Sequence, residues 1–208
     1  NNVAETAYIV RTGEESWNLR WFTPTVEVPL CGHATLAAAH VLFTHEGYAG
    51  ETIAFDTVKS GRLTVRKLED GRLEMDFPSG QVTEIPVSDE VAEALGARPV
   101  QAWGGMFYAA MFDTPEAVLA LKPNLKALAS LGVPGEGWDS GIDEDPATGS
   151  WHTMLARVMS ERFGKDAMSC FQAYPGRGGR IGTLLQGDRV KLAGHSVTTV
   201  EGRFFLPA

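Results

Sequence analysis

The sequence has little cysteine, no basic cluster and no long hydrophobic run. Its two cysteines, Cys31 and Cys170, form no metal-ligand or disulfide pattern, which favours a reducing cytoplasm. Its 18 Lys and Arg residues are scattered among 26 Asp and Glu residues, and the net charge of -8 argues against nucleic acid or an anionic membrane as a partner. No stretch reaches the roughly 18 apolar residues that a membrane span needs. An anionic ligand would therefore have to be held by individual hydrogen-bond donors at its binding site, because no basic cluster is present.

The sequence does contain enough apolar residues for a folded core. Of 208 residues, 44% are hydrophobic and 21% are charged, which is typical of a globular chain long enough for one large domain or two small ones. Composition alone names no function, so the functional signals have to come from motifs.

Residues 27–43 predict a turn that opens into a helix. Pro29 and Gly32 end the preceding strand, and the helix that follows is apolar on nearly every side, which is typical of a buried helix. At its start, the free amides of Gly32 and His33 and the positive end of the helix dipole would favour a carboxylate or a phosphate.

The same Glu-x-Pro-x-x-Gly pattern returns later in the chain. At one constant offset, Glu27, Pro29, Gly32, Ala39, Val41 and Gly47 match Glu144, Pro146, Gly149, Ala156, Val158 and Gly164. We interpret this as an internal duplication, in which each copy supplies a turn, a buried helix and several strands. It predicts two similar lobes that face each other across a cleft, where the two helix N-termini converge.

Shorter patterns complete the predicted secondary structure. Strands are predicted at residues 17–22, 52–55, 62–68, 72–77, 105–112, 169–174, 180–185, 189–193 and 197–205, and short helices at 89–96, 115–121 and 125–131. Asp70-Gly71 predicts a hairpin between two of these strands. Residues 132–143 are rich in Gly and show no clear strand leading into the second turn.

Five segments together resemble the phenazine-biosynthesis PhzF-like isomerases. They are Asn2-x-x-Glu5-Thr-Ala, Phe22-Thr-Pro, Glu27-x-Pro-x-x-Gly-His-Ala-Thr, Glu144-Asp-Pro-Ala-Thr-Gly-Ser and Gln172-Ala-x-Pro-Gly-Arg-Gly-Gly. The resemblance implies the α+β fold of diaminopimelate epimerase, with two pseudo-symmetric lobes, each a rolled, mainly antiparallel sheet around a central buried helix. We expect the lobes at residues 1–97 and 98–208, with the last strand of the second lobe pairing with the first.

The sequence departs from that family in two places. Family members usually have a strand, a Gly-Asn-Pro turn and a helix leading to the glutamate, and no such residues precede Asn1. They also usually carry a strand and an aromatic segment before the Glu-Asp-Pro turn, where this sequence has residues 135–143. We therefore expect the first lobe to lack its first strand and helix.

The resemblance also implies site residues. Glu5, His33 and Asp145 are the expected catalytic residues, and Gly32, His33, Gly149 and Ser150 are the expected substrate-binding residues. Glu5 matches the family's catalytic glutamate, which accepts and returns a proton. The residues alone leave structural alternatives open: an exposed strand-edge glutamate at Glu5, a polar residue closing the helix start at His33, and helix capping by Asp145 and Ser150.

Neither a metal nor a cofactor is expected. His40, His45, His152 and His195 have no shared spacing suited to a metal and are interpreted as structural or surface residues.

Three functions remain open at this point. The first is a cofactor-independent PhzF-like isomerase in which Glu5 moves a proton on a small carboxylate. The second is a two-thiol racemase or epimerase, although Ala147 and Thr148 stand in the second turn where a partner for Cys31 would be expected. The third is a non-catalytic protein that binds a small molecule. By resemblance we also expect a cytoplasmic homodimer.

Overall fold

The computed structural model describes residues 5–133, 145, 147–174, 178–203 and 205. Glu144 and Pro146 of the second turn therefore lie outside the described residues, as does nearly all of the segment 132–143 that shows no clear strand. The strands are β1 Thr6–Arg11, β2 Ser16–Phe22, β3 Glu27–Val28, β4 Thr52–Thr57, β5 Arg62–Lys67, β6 Leu73–Pro78, β7 Val82–Ile85, β8 Gln101–Gly105, β9 Ala109–Met111, β10 Ala167–Gln172, β11 Gly179–Gln186 and β12 Arg189–Gly194. The helices are α1 Gly32–Thr44, α2 Asp89–Leu95, α3 Pro115–Leu119, α4 Leu125–Ser130 and α5 Gly149–Phe163.

Local sequence explains several of these boundaries. The hairpin between β5 and β6 turns at Gly71, whose φ of 82° suits glycine, while Asp70 accepts a hydrogen bond from the amide of Arg72. Helix α2 begins at Ser88, whose hydroxyl accepts the amide of Val91, and ends at the left-handed Gly96.

The chain forms a mixed α+β fold with one large sheet. Nine strands make this sheet in the order β1-β2-β4-β5-β6-β12-β11-β10, with β3 paired to β2. The pair β2 and β4 is parallel because α1 carries the chain across between them, whereas the other pairs are antiparallel. Strands β7, β8 and β9 form a second sheet.

Hydrogen bonds between strands cross the predicted lobe boundary at residue 97. Strand β12 pairs with β6, where Val190 lies opposite Phe77, and β8 pairs with β7, where Ala102 lies opposite Ile85. The division into two lobes at this residue therefore stays a prediction.

The core lies between the large sheet and α1. Strand β2 shows the expected alternation, because Trp17, Leu19 and Trp21 are buried while Asn18 and Arg20 are exposed. The other fully or nearly fully buried members of this core include Ile53, Phe55, Leu63, Val65, Phe77, Val190 and Leu192 from the sheet, and Ala34, Ala38, Ala39 and Leu42 from α1.

Only part of α1 is buried, so the prediction of burial on nearly every side is wrong. The helix packs against β1, β6 and α5, and these neighbours cover one side of it. Ala37 is exposed on the other side, and Val41 is 41% exposed.

Two predicted strands are also wrong. Residues 105–112 form the end of β8, a turn and β9, because the chain reverses and Phe107 turns into a core with Trp103 and Met154. Residues 195–203 and 205 form neither helix nor strand. They cannot form a hairpin with the preceding β12, because both edges of β12 are already occupied by β6 and β11.

None of the helices in the described part of the chain is long and apolar enough to cross a membrane.

Candidate active site

The N-termini of α1 and α5 touch each other through their first glycines. A Cβ atom placed on Gly32 would lie 2.8 Å from the Cα of Gly149, and one placed on Gly149 would lie 2.9 Å from the Cα of Gly32. No side chain fits so close to backbone, so both positions require glycine. The predicted convergence of the two helix starts is therefore confirmed, and it brings the positive ends of two helix dipoles together.

Glu5 lies immediately before β1 and is buried next to His33. Its side chain is 1% exposed, and its Oε2 lies 3.0 Å from Nε2 of His33. Neither carboxylate oxygen has a hydrogen-bond partner among the described residues, so this contact is an ion pair without the alignment of a hydrogen bond. The alternative of an exposed strand-edge glutamate is wrong. A buried carboxylate without donors is costly, which favours a functional role.

His33, the second residue of α1, stands between two carboxylates. Its Nε2 faces Glu5, while its Nδ1 lies 3.9 Å from Oδ2 of Asp145 and 3.3 Å from the carbonyl oxygen of Ala147. Burial alone would lower the pKa of His33, but the contacts with Cys31 and Glu5 and the charge of Asp145 outweigh burial and raise the pKa to about 11. The side chain is 34% exposed, so a ligand can reach this imidazolium.

Asp145 is held in place by the second turn. Its Oδ1 accepts the amide of Ala147 at 3.3 Å, and its Oδ2 accepts the hydroxyl of Thr148 at 2.8 Å. Gln172 of β10 closes the network, because its Oε1 accepts the amide of Thr148 and its Nε2 donates to the carbonyl of Asp145, each at 2.7 Å. These bonds form a turn ahead of α5. Among the described residues no side chain caps α5, so Asp145 does not act as the helix cap.

A cavity of about 190 Å³ opens beside the two helix starts. It is lined by His33, Leu36, Met75, Ala147, Gly149, Gly179, Arg180, Ile181, Leu192, Ala193, Gly194 and His195. Within the described ranges, its lining includes neither Glu5 nor Asp145, which contact the His33 ring and are almost fully buried. Ser150 is 3% exposed and is not part of the lining either. Of the expected catalytic residues, His33 thus lines the cavity directly, while Glu5 and Asp145 lie behind its ring.

Cys31 also belongs to the site, and the sequence alone did not show that it would lie beside His33. It precedes α1 and is buried, and its Sγ lies 3.8 Å from both ring nitrogens of His33. Burial raises the pKa of this thiol, although the nearby His33 acts in the opposite direction. Glu5, Cys31 and His33 offer potential metal-ligand atoms that lie within 4.8 Å of one another. No spacing in the sequence could indicate this group, because Glu5 lies just before β1 and far along the chain from Cys31 and His33.

Cys170 lies elsewhere. It belongs to β10 and lines a separate cavity of about 350 Å³, together with Trp151 and His152. Cys31 lines neither this cavity nor a second one that Cys170 borders. Both cysteines of the sequence are described, so the structure gives no support to a pair of thiols acting across one site.

Comparisons with known proteins agree on one family. The PhzC-PhzF family model, described as phenazine biosynthesis-like protein, matches residues 1–133. The chain is 41% identical to an uncharacterized isomerase of Pseudomonas aeruginosa, with 99% of this chain and 84% of that protein covered. It is 33% identical to phenazine biosynthesis-like domain-containing protein 2 of Mus musculus, with 97% of this chain and 84% of that protein covered.

A solved structure shows the same relationship. The chain superposes on the crystal structure of a phenazine biosynthesis protein of the PhzF family from Enterococcus faecalis with a TM-score of 0.89 and 33% sequence identity. That match covers 99% of this chain and 84% of the other.

Proposed function

The chain belongs to the phenazine biosynthesis-like (PhzC-PhzF) family, and on that premise we propose that it is an isomerase that moves a proton on a small carboxylate without a cofactor. Relatives that are named isomerases support the reaction class. Glu5 is the proposed general acid/base, His33 and Asp145 are its proposed catalytic partners, and the starts of α1 and α5 are the proposed anion-binding elements.

The observation that carries this proposal is the buried contact between Glu5 and His33. The Glu5 carboxylate has no hydrogen-bond donor among the described residues, which leaves its lone pairs available to accept a proton. The imidazolium of His33 is 3.0 Å away and lies between Glu5 and Asp145. A positive charge beside the reacting group can stabilise the negative charge that develops as a carbon loses its proton.

The proposed reaction needs no change in oxidation state. Glu5 takes a proton from a carbon next to an acidifying group, and the electron pair left on that carbon spreads into this group. The Glu5 carboxyl proton can exchange with water, and Glu5 then delivers a proton to another carbon of the same molecule, so that a double bond changes its position. The N-termini of α1 and α5, at Gly32 and Gly149, would hold the carboxylate of the substrate, because helix dipoles supply positive potential without lysine or arginine.

Entry to Glu5 passes His33 in this proposal. The cavity of about 190 Å³ reaches the ring of His33, and Glu5 contacts the same ring. A substrate in this cavity would therefore meet His33 first, and the ring has to turn for the reacting carbon to reach Glu5.

Homodimer formation and a cytoplasmic location remain expectations.

Glu5→Gln tests the proposal. The amide keeps the shape of the side chain and cannot carry the proton, so we expect deuterium exchange into small carboxylates in heavy water to fall about 10²- to 10⁴-fold. Exchange is followed by proton NMR, and ligand binding and the urea midpoint are measured in parallel. Glu14→Gln is the matched control, because Glu14 is an exposed glutamate in the turn after β1. Exchange by Glu5→Gln within about tenfold of wild type would rule out Glu5 as the acid/base.

A further inference from the structure

We propose that the second cavity, which we call the aromatic cavity, binds a small, uncharged aromatic molecule that carries one hydrogen-bond donor, such as an indole. The cavity has a volume of about 350 Å³ and is lined by residues of β9, α5 and β10. Pockets that bind small molecules have volumes from about 300 Å³ upward and are mostly apolar, with a few polar groups. Binding here does not depend on the isomerase proposal.

The lining of the aromatic cavity favours a flat, apolar ligand. It includes aromatic and sulfur-containing side chains, namely Trp103, Phe112, Trp151, Phe171, Met111 and Met159. None of its described lining residues is Asp, Glu, Lys or Arg, so a charged ligand would lose its hydration there without gaining an ion pair. Aromatic rings and methionine sulfur make favourable contacts with another ring. The lining therefore selects an uncharged aromatic molecule.

A buried histidine in the cavity wall explains why the ligand should carry a donor. His152 lines the aromatic cavity and is 1% exposed, and its Nδ1 lies 2.8 Å from the carbonyl oxygen of Thr148. A carbonyl oxygen can only accept a hydrogen bond, so Nδ1 carries the proton and Nε2 keeps a lone pair. Burial lowers the pKa of His152, which keeps the ring neutral.

The Nε2 atom of His152 is free to accept a hydrogen bond from a ligand. The bond to Thr148 uses Nδ1, and no described residue forms a hydrogen bond with Nε2. Gln172 also lines the cavity, but its side chain already bonds the amide of Thr148 and the carbonyl of Asp145. A ligand with one N–H or O–H group would therefore pair with His152.

The aromatic cavity is distinct from the cavity at the helix starts. The cavity at the helix starts is lined by His33, Ala147 and Gly149 among others, and within the described ranges the two linings share no residue. The two cavities also differ in character, because the helix starts favour an anion and the aromatic cavity offers no charge. One ligand can therefore bind without displacing the other.

Indole is the probe that tests this proposal, because it is flat and uncharged and has one N–H donor. We expect one equivalent of indole to bind the whole chain in titration calorimetry. Benzothiophene has nearly the same shape but no N–H group, and it should bind about 2- to 10-fold more weakly, which is the effect of one hydrogen bond. Equal affinities for the two probes would overturn the role of His152 as the acceptor.

Three variants locate the binding site. Phe171 lines the aromatic cavity and is 57% exposed, so Phe171→Ala should leave the fold intact and weaken indole binding about 2- to 10-fold. Tyr8→Ala is the matched control, because Tyr8 is 59% exposed on β1, at the opposite edge of the same sheet. Leu36→Ala alters only the cavity at the helix starts and should not change indole binding. Urea midpoints check the fold of each variant.

Nuclear magnetic resonance of protein with isotope-labelled histidine gives a second readout. One ring should carry its proton on Nδ1, and the signal of its Nε2 should move with indole and stay in place with benzothiophene. The proposal is overturned if indole shows no saturable binding, if Leu36→Ala weakens it while Phe171→Ala does not, or if no such Nε2 signal moves. These measurements do not use deuterium exchange, so the aromatic cavity and the isomerase proposal stand or fall separately.

Discussion

The two helix starts share a sequence pattern but differ in what surrounds them. At the start of α1, His33 contacts both Cys31 and Glu5, and no side chain among the described residues caps the helix. At the start of α5, Thr148 and Gln172 form a closed hydrogen-bond network around Asp145. The first turn therefore carries thiol and acid/base side chains with few hydrogen bonds. The second turn carries polar side chains that hydrogen bonds hold in place. We infer that the duplicated turns have divided these roles between them.

One interaction is the same in both copies. The hydroxyl of Thr35 donates to the carbonyl of Cys31 at 2.6 Å, and Nδ1 of His152 lies 2.8 Å from the carbonyl of Thr148. In each copy the side chain contacts the backbone carbonyl one helical turn earlier, which belongs to the residue just before the first glycine of the helix. Burial lowers the pKa of His152, which favours a neutral, structural histidine and contrasts with the raised pKa of His33.

The largest expected effect comes from the point where the two copies touch. Gly149→Ala would place a Cβ 2.9 Å from the backbone of Gly32, and Gly32→Ala would create the same conflict in reverse. Backbone cannot move aside as a flexible side chain can, so we expect each change to lower the free energy of unfolding by about 3 kcal/mol, the upper end of usual overpacking costs. Urea unfolding measures this.

The control for these variants is Gly202→Ala, because a Cβ at Gly202 meets nothing within 4 Å. Equal stabilities of Gly149→Ala and Gly202→Ala would contradict the close approach of the helices.

The second-largest expected effects come from two variants, one beside each helix start. Thr35→Val removes the buried acceptor of the Trp21 indole N–H, 3.1 Å away, and should cost about 1–3 kcal/mol of stability. Gln172→Met leaves the Thr148 amide without its acceptor, but Gln172 is half-buried and water replaces part of the loss. We therefore expect Gln172→Met to lower deuterium exchange more than stability, and Thr35→Val to do the reverse. The opposite pattern in urea unfolding and exchange would refute a positioning role for Gln172 in the turn that holds Asp145.

The smallest expected effect is a pH dependence carried by His33. Its pKa of about 11 in the folded protein lies above the ordinary 6.5. A raised pKa stabilises the fold fully below pH 6.5, and this stabilisation is lost as the pH rises toward 11. The stability difference between wild type and His33→Asn should therefore shrink between pH 6.5 and 10. Solvent reaches the ring and screens its charge, so the change is modest. Urea midpoints that keep a constant difference across this range would show that His33 is not a charged partner of Glu5 and Asp145.

The sequence by itself predicted most of the local structure. Alternation in Trp17, Leu19 and Trp21 indicated a half-buried strand, and Asp70-Gly71 indicated a hairpin, because side-chain period and turn residues act over a few neighbours. The repeated pattern also predicted that two helix starts would converge, because duplicated units tend to pack against each other. Residues 197–203 have a sequence suited to a strand, but the strand before them, β12, is already paired on both sides.

Tertiary structure alone decided the contents of the site. The sequence named Glu5, His33 and Asp145, but it did not show that Glu5 and Asp145 would pack against opposite nitrogens of one ring. It also did not show that Cys31 would lie beside the ring of His33, or that Gln172 would hold the second turn. These contacts join different strands and helix starts. Such distances follow from the packing of the whole sheet around α1, and no local pattern encodes them.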